Sequence, residues 1–80
     1  MQDQIRQYIT VDPRICHGKP IFRGTRIPIT TVLELLESGM SMEEILRGFP
    51  SLSLKAVRAA IHYAVLRIQD EEFIPLATGR

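Results

Sequence analysis

No apolar run in this chain of 80 residues approaches the ~20 needed to cross a bilayer, so no membrane span is expected. The first ten residues, Met1 to Thr10, are polar and carry nothing like the apolar core of a secretory signal. The expected compartment is therefore the cytoplasm. A single cysteine, Cys16, excludes an internal disulfide framework. Internal repeats and low-complexity stretches are also missing. Length itself is in short supply. Eighty residues make one domain, and a domain of this size buries only about 60% of its unfolded surface. A second copy or a larger partner is expected to supply the missing burial. Net charge is low as well, at +1, but it is unevenly spread. Residues 1–27 carry a net +3 and residues 28–48 a net −3. Residues 49–69 hold Lys55, Arg58 and Arg67 with no acid, and residues 70–80 return to −2. Two basic blocks in a nearly neutral chain can present a local phosphate-binding face, although runs of this kind also serve as plain solvated surface.

The rest is the composition of a globular chain, 45% hydrophobic and 24% charged. Residues 5–12 alternate loosely, with Tyr8, Ile9 and Val11 apolar, until Asp12-Pro13 breaks the run. Ile21-Phe22-Arg23 lies between Gly18-Lys19-Pro20 and Gly24-Thr25. Short β-favouring pieces between glycines and prolines predict small strands or a hairpin. Helix is predicted from near Pro28, with Thr31 and Glu34 at capping-box spacing and Thr30 as an alternative cap. Gly39 is a natural stop. Ser41 and Glu44 form a second capping box over a two-turn helix, 42–48, which Gly48 and Pro50 end. Ser53 is the expected N-cap of the longest helix, 53–69. There Leu54, Val57, Ile61, Ala64 and Ile68 recur at spacings of three and four, the pattern of a core stripe. Lys55, Arg58 and His62 fall on a second arc, and Ala59, Tyr63 and Leu66 on a third, semi-apolar one.

A two-turn helix, a short turn and a longer helix have the layout of a helix-turn-helix. The second helix of that motif enters the major groove and offers its first residues to base edges. Lys55, Arg58 and His62 are then the DNA-facing set, with Arg58 able to donate two hydrogen bonds to a guanine and Lys55 suited to phosphate. The same spacing also fits a helical hairpin that merely packs. Cys16-His17 could in principle bind metal or form a nucleophile–base pair. Zinc needs about four ligands, and only His62 and scattered carboxylates remain. A small packed thiol is expected instead, with no catalytic group, metal or cofactor. Gly18-Lys19-Pro20 and Gly24-Thr25-Arg26 lack the spacing of a phosphate loop and predict a β-hairpin with glycines at its turns. Arg23 and Arg26 on that hairpin are further phosphate contacts. Beyond the acidic Asp70-Glu71-Glu72, the tail Phe73-Ile74-Pro75-Leu76 either folds back on the domain or docks into a partner. Tyr63 and Leu66 are the other candidate partner-binding residues.

The ordered run Ile9-Thr10-Val11-Asp12-Pro13, then Ile15-Cys16-His17-Gly18-Lys19-Pro20-Ile21-Phe22-Arg23-Gly24-Thr25-Arg26-Ile27-Pro28, resembles the prokaryotic family known as domain of unknown function 433. The likeness continues through Leu35-Leu36, Gly39-Met40-Ser41, Glu43-Glu44-Ile45-Leu46 and Phe49-Pro50 to Val57, Ala59-Ala60 and Tyr63-Ala64, covering roughly residues 5–70. Members of that family look like VapB-type antitoxins encoded beside a toxin that resembles a PIN-domain ribonuclease. The resemblance implies a mainly α fold, with a short N-terminal β-hairpin before a three-helix, homeodomain-like helix-turn-helix bundle. Residues 1–29 are then the strand or hairpin arm, 30–70 the bundle and 71–80 the tail, all in one domain. It also implies a homodimer that binds its own promoter DNA and neutralises the PIN-like toxin. A protein-interaction adaptor that never meets DNA is the alternative.

Overall fold

The computed structural model describes residues 2–70. It is a mostly helical small domain with one two-stranded antiparallel ribbon. Helix α1 (Gln2–Tyr8) leads directly into strand β1 (Ile9–Val11). A loop with one tight turn (Cys16–Gly18) brings the chain back to strand β2 (Pro20–Phe22), which pairs with β1 in the register Ile9 to Phe22, Thr10 to Ile21 and Val11 to Pro20. Helices α2 (Ile29–Glu37), α3 (Met42–Gly48) and α4 (Leu54–Asp70) follow. No described helix is long and apolar enough to cross a membrane.

The N-terminal segment departs from expectation. Residues 2–8 form a helix, and only residues 9–11 extend. Gln and Arg lose little in a helix, and the i, i+3 pair Ile5 and Tyr8 turns to one side and packs against the core. The apparent alternation over 5–12 joins the end of a helix to a short strand. α2 begins near Pro28 as predicted, but with a different cap. Pro28 is its N-cap, and neither Thr30 nor Thr31 caps it through its side chain. Ile29, only 2% exposed, is drawn into the core as the first helical residue. The proline's extended backbone, φ −63° and ψ 141°, sets that entry.

The later caps are as predicted. Gly39 follows α2 with φ +101°, where a side chain would be strained. The Ser41 side chain accepts from the Glu44 N–H at 3.1 Å, while Glu44 Oε1 accepts from the Ser41 N–H at 2.9 Å. Ser53 Oγ accepts from the Ala56 N–H at 3.1 Å and starts α4.

The largest correction concerns which side of α4 is inside. The predicted stripe holds only at Val57, which is fully buried. Leu54 is 40% exposed, Ile61 38% and Ile68 70%, and Ala64 is half-buried, while Val65, beside that stripe, is 42% exposed. The inner face is instead Ala56, Val57, Ala59 and Ala60, turned by roughly one residue, about 100°, from the predicted stripe. These residues close on Ile9, Phe22, Ile29, Val32, Ile45 and Leu52 to form the core. Alanines let the α4 backbone approach that cluster closely, which branched aliphatics at the same positions do not. Ile21 is also buried, at 2%, but on the other side of the ribbon, beneath the loop that joins the two strands.

Replacing Ile45 with Ala is expected to cost about 3 kcal/mol in urea unfolding, by lost transfer energy and a cavity. Ile68→Ala is expected to cost less than about 0.5 kcal/mol, since it lies at the surface. The reverse order would mean that the predicted stripe is the true core. The hydrogen bond from the Ser41 N–H holds the Glu44 carboxyl below its ordinary value of 4.5, helped by the Ser41 side chain. A lowered folded pKa contributes stability above that ordinary value, and the contribution is lost as pH falls through the lowered one. Glu44→Gln is therefore expected to flatten the acid side of the stability–pH curve. An unchanged acid limb in urea titrations at several pH values counts against this role.

Candidate nucleic-acid interface

The outward face of α4 is built from its inward one. Val57 and Ala60 are sealed in the core, with Ala56 and Ala59 at 5% exposure, so the opposite arc points to solvent. Lys55 and Arg58 lie on that arc in the first two turns, both exposed. The preceding turn fixes the angle of entry. The Phe49 N–H donates to the Ile45 carbonyl at 2.9 Å, closing α3, and the Leu52 N–H donates to the Phe49 carbonyl at 2.9 Å. Leu52 itself is 8% exposed and plugs the turn into the core. Held at both ends by core contacts and started by the Ser53 cap, the first turn of α4 is preorganised. Lys55 and Arg58 make no side-chain hydrogen bond or ion pair among the described residues, so their cationic groups are available to an anion.

His62 stands apart from these two. It is half-buried in a small cleft of about 180 Å³ that it shares with Gln4 and Ile5 of α1 and with Arg58 and Ala59. Tyr63 and Leu66, expected to hold a partner, line the next groove along, about 200 Å³, with Ile5, Arg6, Arg67 and Asp70. Helix α1, which was not predicted, lies over this flank. Tyr63 and Leu66 are half-buried there, with Ile5 and Arg6 of α1 beside them. The tail residues Phe73, Ile74 and Leu76 lie outside the described residues.

The two arginines of the ribbon have different situations. Arg23 is spent on structure. Its Nε and Nη2 donate to the Arg6 carbonyl at 3.0 and 2.8 Å, and Nη2 reaches the Ile9 carbonyl at 3.5 Å. A guanidinium thus binds the Arg6 carbonyl in the last turn of α1, which suits the negative end of a helix. Two of the three guanidinium nitrogens of Arg23, expected as a phosphate contact, are thus committed to the fold. Arg26 is exposed at the rim of an open crevice of about 690 Å³, opposite Asp12. Asp12 is held below the usual carboxylate range by the backbone N–H of Arg14, then by its side chain, with the Arg26 charge adding to the effect.

The glycine-bearing loop folds for structural reasons. Cys16, His17 and Gly18 are consecutively left-handed, with φ of +53°, +58° and +80°. The Cys16 thiol donates to the Arg26 carbonyl at 3.3 Å, and the Thr25 hydroxyl donates to the Phe22 carbonyl at 2.7 Å while accepting from the Ile27 N–H. These bonds tie the loop to the turn after β2. Among the described residues no three of His, Cys, Asp and Glu gather as a metal site would require.

Of the five expected DNA-facing residues, the structure brings Lys55, Arg58 and His62 onto one side of α4, the last half covered. Arg23 and Arg26 are on the ribbon. The sequence reading missed the bare aliphatic row of α4, although Ala56, Ala59 and Ala60, at helical spacing, were a signal for the inner face. Arg23→Ala is expected to lower stability by about 1 kcal/mol, and Arg23→Lys to recover only part, because an ammonium lacks the two-pronged fork. Thermal melts of both variants matching the parent would contradict the clamp.

Known proteins share this chain's pattern over most of its length. The DUF433 family, described as protein of unknown function, matches residues 9–64, from the start of β1 to the middle of α4. The chain is 39% identical over 59 residues to the uncharacterized protein y4eO of Sinorhizobium fredii (strain NBRC 101917 / NGR234). That stretch takes in 74% of this chain but 27% of the relative, so the chain spans about a quarter of the relative's length. A crystal structure of a DUF433 member protein from Anabaena variabilis ATCC 29413 is similar with a TM-score of 0.75 and 28% identity, over 85% of this chain and 67% of that one. By the extent of the family match, which includes both the ribbon motif and the inner face of α4, the chain belongs to the DUF433 family.

Proposed function

We propose that this protein is a helix-turn-helix antitoxin that binds its own promoter as a homodimer in the cytoplasm and neutralises a PIN-like ribonuclease toxin. In this reading α2, α3 and α4 are a homeodomain-like bundle, and α4 is the recognition helix. The observation that carries it is the pair Lys55 and Arg58, exposed on the first two turns of the longest helix and held outward by the buried alanines behind them. A major groove about 12 Å wide accepts one helix, and the first residues of that helix meet the bases. Arg58 reads a base edge and Lys55 neutralises a phosphate. Arg26 is a further backbone contact. The antitoxin role follows from the family likeness in the ribbon motif and from the size of the domain, which gains from a partner.

A second reading, an adaptor that holds an enzyme without touching DNA, has one observation in its favour. The row Leu54, Ile61, Val65 and Ile68 is apolar and bare. The two readings separate in an electrophoretic shift assay with the DNA upstream of the gene. Arg58→Ala is expected to weaken binding by about tenfold or more, and Lys55→Ala to reduce the slope of log affinity against log salt by about one unit. Parental affinity in the Arg58 variant, with its fold intact by circular dichroism, would remove the DNA reading. Copurification with the product of the adjacent gene tests the toxin-holding half separately.

A further inference from the structure

The groove of about 200 Å³ between α1 and the last turns of α4 has a distinct chemistry. Its apolar walls are Ile5, Tyr63 and Leu66, all half-buried. Arg6 and Arg67 line it too, both exposed, against one acid, Asp70. Neither guanidinium forms an ion pair among the described residues, where Arg14 and Asp12 make the one such pair. Arg23 holds Arg6 through its main-chain carbonyl, so that clamp does not engage the Arg6 side chain. The groove is therefore apolar with an excess of cations, and it reaches Asp70, the last described residue.

The sequence that follows Asp70 is complementary to this surface. Glu71 and Glu72 carry the charge opposite to that of Arg6 and Arg67, and Phe73 is the first large apolar residue after them. Carboxylates are unfavourable at the negative end of a helix and gain by meeting cations. The distances allow it. Three residues of extended chain, from Asp70 to Phe73, span about 10 Å, whereas Leu66 lies about 6 Å back from Asp70 along the helix.

We propose that residues 71–76 of the same chain occupy this groove, with the Phe73 ring against Ile5, Tyr63 and Leu66 and the Glu71 and Glu72 carboxylates beside Arg67 and Arg6. Exposed ion pairs add little energy, so the ring supplies most of the attraction and the charges set the direction of approach. Tethering selects this occupant over a separate one. A segment joined to the groove by a few residues meets it at an effective concentration of about millimolar, which a dissolved partner of equal affinity does not match. A partner that takes Tyr63 and Leu66 has to displace Phe73, so the tail is an internal competitor for that flank. The inference stands apart from the DNA reading and is tested without DNA.

Nuclear Overhauser spectra of the isotopically labelled full chain test the placement. Contacts are expected from the Phe73 ring to the methyl groups of Ile5 and Leu66, unchanged on tenfold dilution. A sample mixing labelled and unlabelled chains is expected to show none of them between chains. Phe73→Ala is expected to lower the melting temperature by about 4 °C with an unchanged circular dichroism spectrum. Arg6→Glu is expected to weaken the ring contacts, and Arg6→Lys to keep them. Absence of the Phe73 contacts in the chain alone overturns the proposal. If the Ile5 and Leu66 methyl signals then shift only on adding the product of the adjacent gene, the groove belongs to that partner. Contacts between differently labelled chains also overturn it, and give the groove to a second copy. A Phe73→Ala variant that melts like the parent, or ring contacts at full strength in Arg6→Glu, counts equally against it.

Discussion

Close contact between the alanine face of α4 and the aliphatic cluster beneath it governs the rest of the domain. Ala56, Ala59 and Ala60 let the helix backbone settle against α1, α2 and β1, and with Val57 they join Ile9, Phe22, Val32 and Ile45 in one cluster. Once that contact is made, the rotation of α4 about its axis is fixed. Lys55 and Arg58 are carried outward, and the longer aliphatics are left in water. Larger side chains on the inner face would gain more area each but would lift the helix away from the core, in which packing leaves few gaps. In so small a domain the alanines allow ribbon, α2 and α4 to meet in one cluster.

The ribbon and its loop serve the same cluster from the other side. Ile9 and Phe22, directly opposite each other, face the helices, while the alternate residue Ile21 is buried beneath the connecting loop. The family motif is therefore largely architectural in its middle. Asp12 orders the turn at Arg14, the left-handed Cys16, His17 and Gly18 reverse the chain, and Thr25 and Cys16 hold the following turn. A non-glycine residue at positive φ is costly, and two in succession persist only where surrounding bonds determine the backbone. The tie from Cys16 to the Arg26 carbonyl and the bond from the Lys19 N–H to the Cys16 carbonyl supply that determination.

Much of the helical half was legible, because its signals are local. Ser41 with Glu44, Ser53, Gly39 and the boundaries of α3 and α4 depend on groups within a few residues of one another. The N-terminal helix was not legible. Seven residues carry too little periodicity to separate a helix from a strand, and α1 is held by tertiary contacts with α4 and by Arg23, seventeen residues away from its Arg6 acceptor. The inner face of α4 was misread for a related reason. Counting large aliphatics at helical spacing finds the most apolar arc, and here that arc is the one left bare. The candidate site fared likewise. The exposure of Lys55 and Arg58 was readable from their arc, but the half-burial of His62 and the capture of Arg23 depend on α1.

Arg23 joins two elements that are distant in the chain. Its guanidinium grips the Arg6 carbonyl in the last turn of α1 while its backbone N–H donates to the Tyr8 carbonyl at 2.8 Å. The two ends of α1 are thereby made unequal. Its C-terminal end is riveted to the ribbon, so the helix unwinds from Gln2 inward, and its last turn opens only when the ribbon itself gives way. Slow amide exchange in that last turn therefore reports the cohesion of the whole fold, even though α1 is only seven residues long.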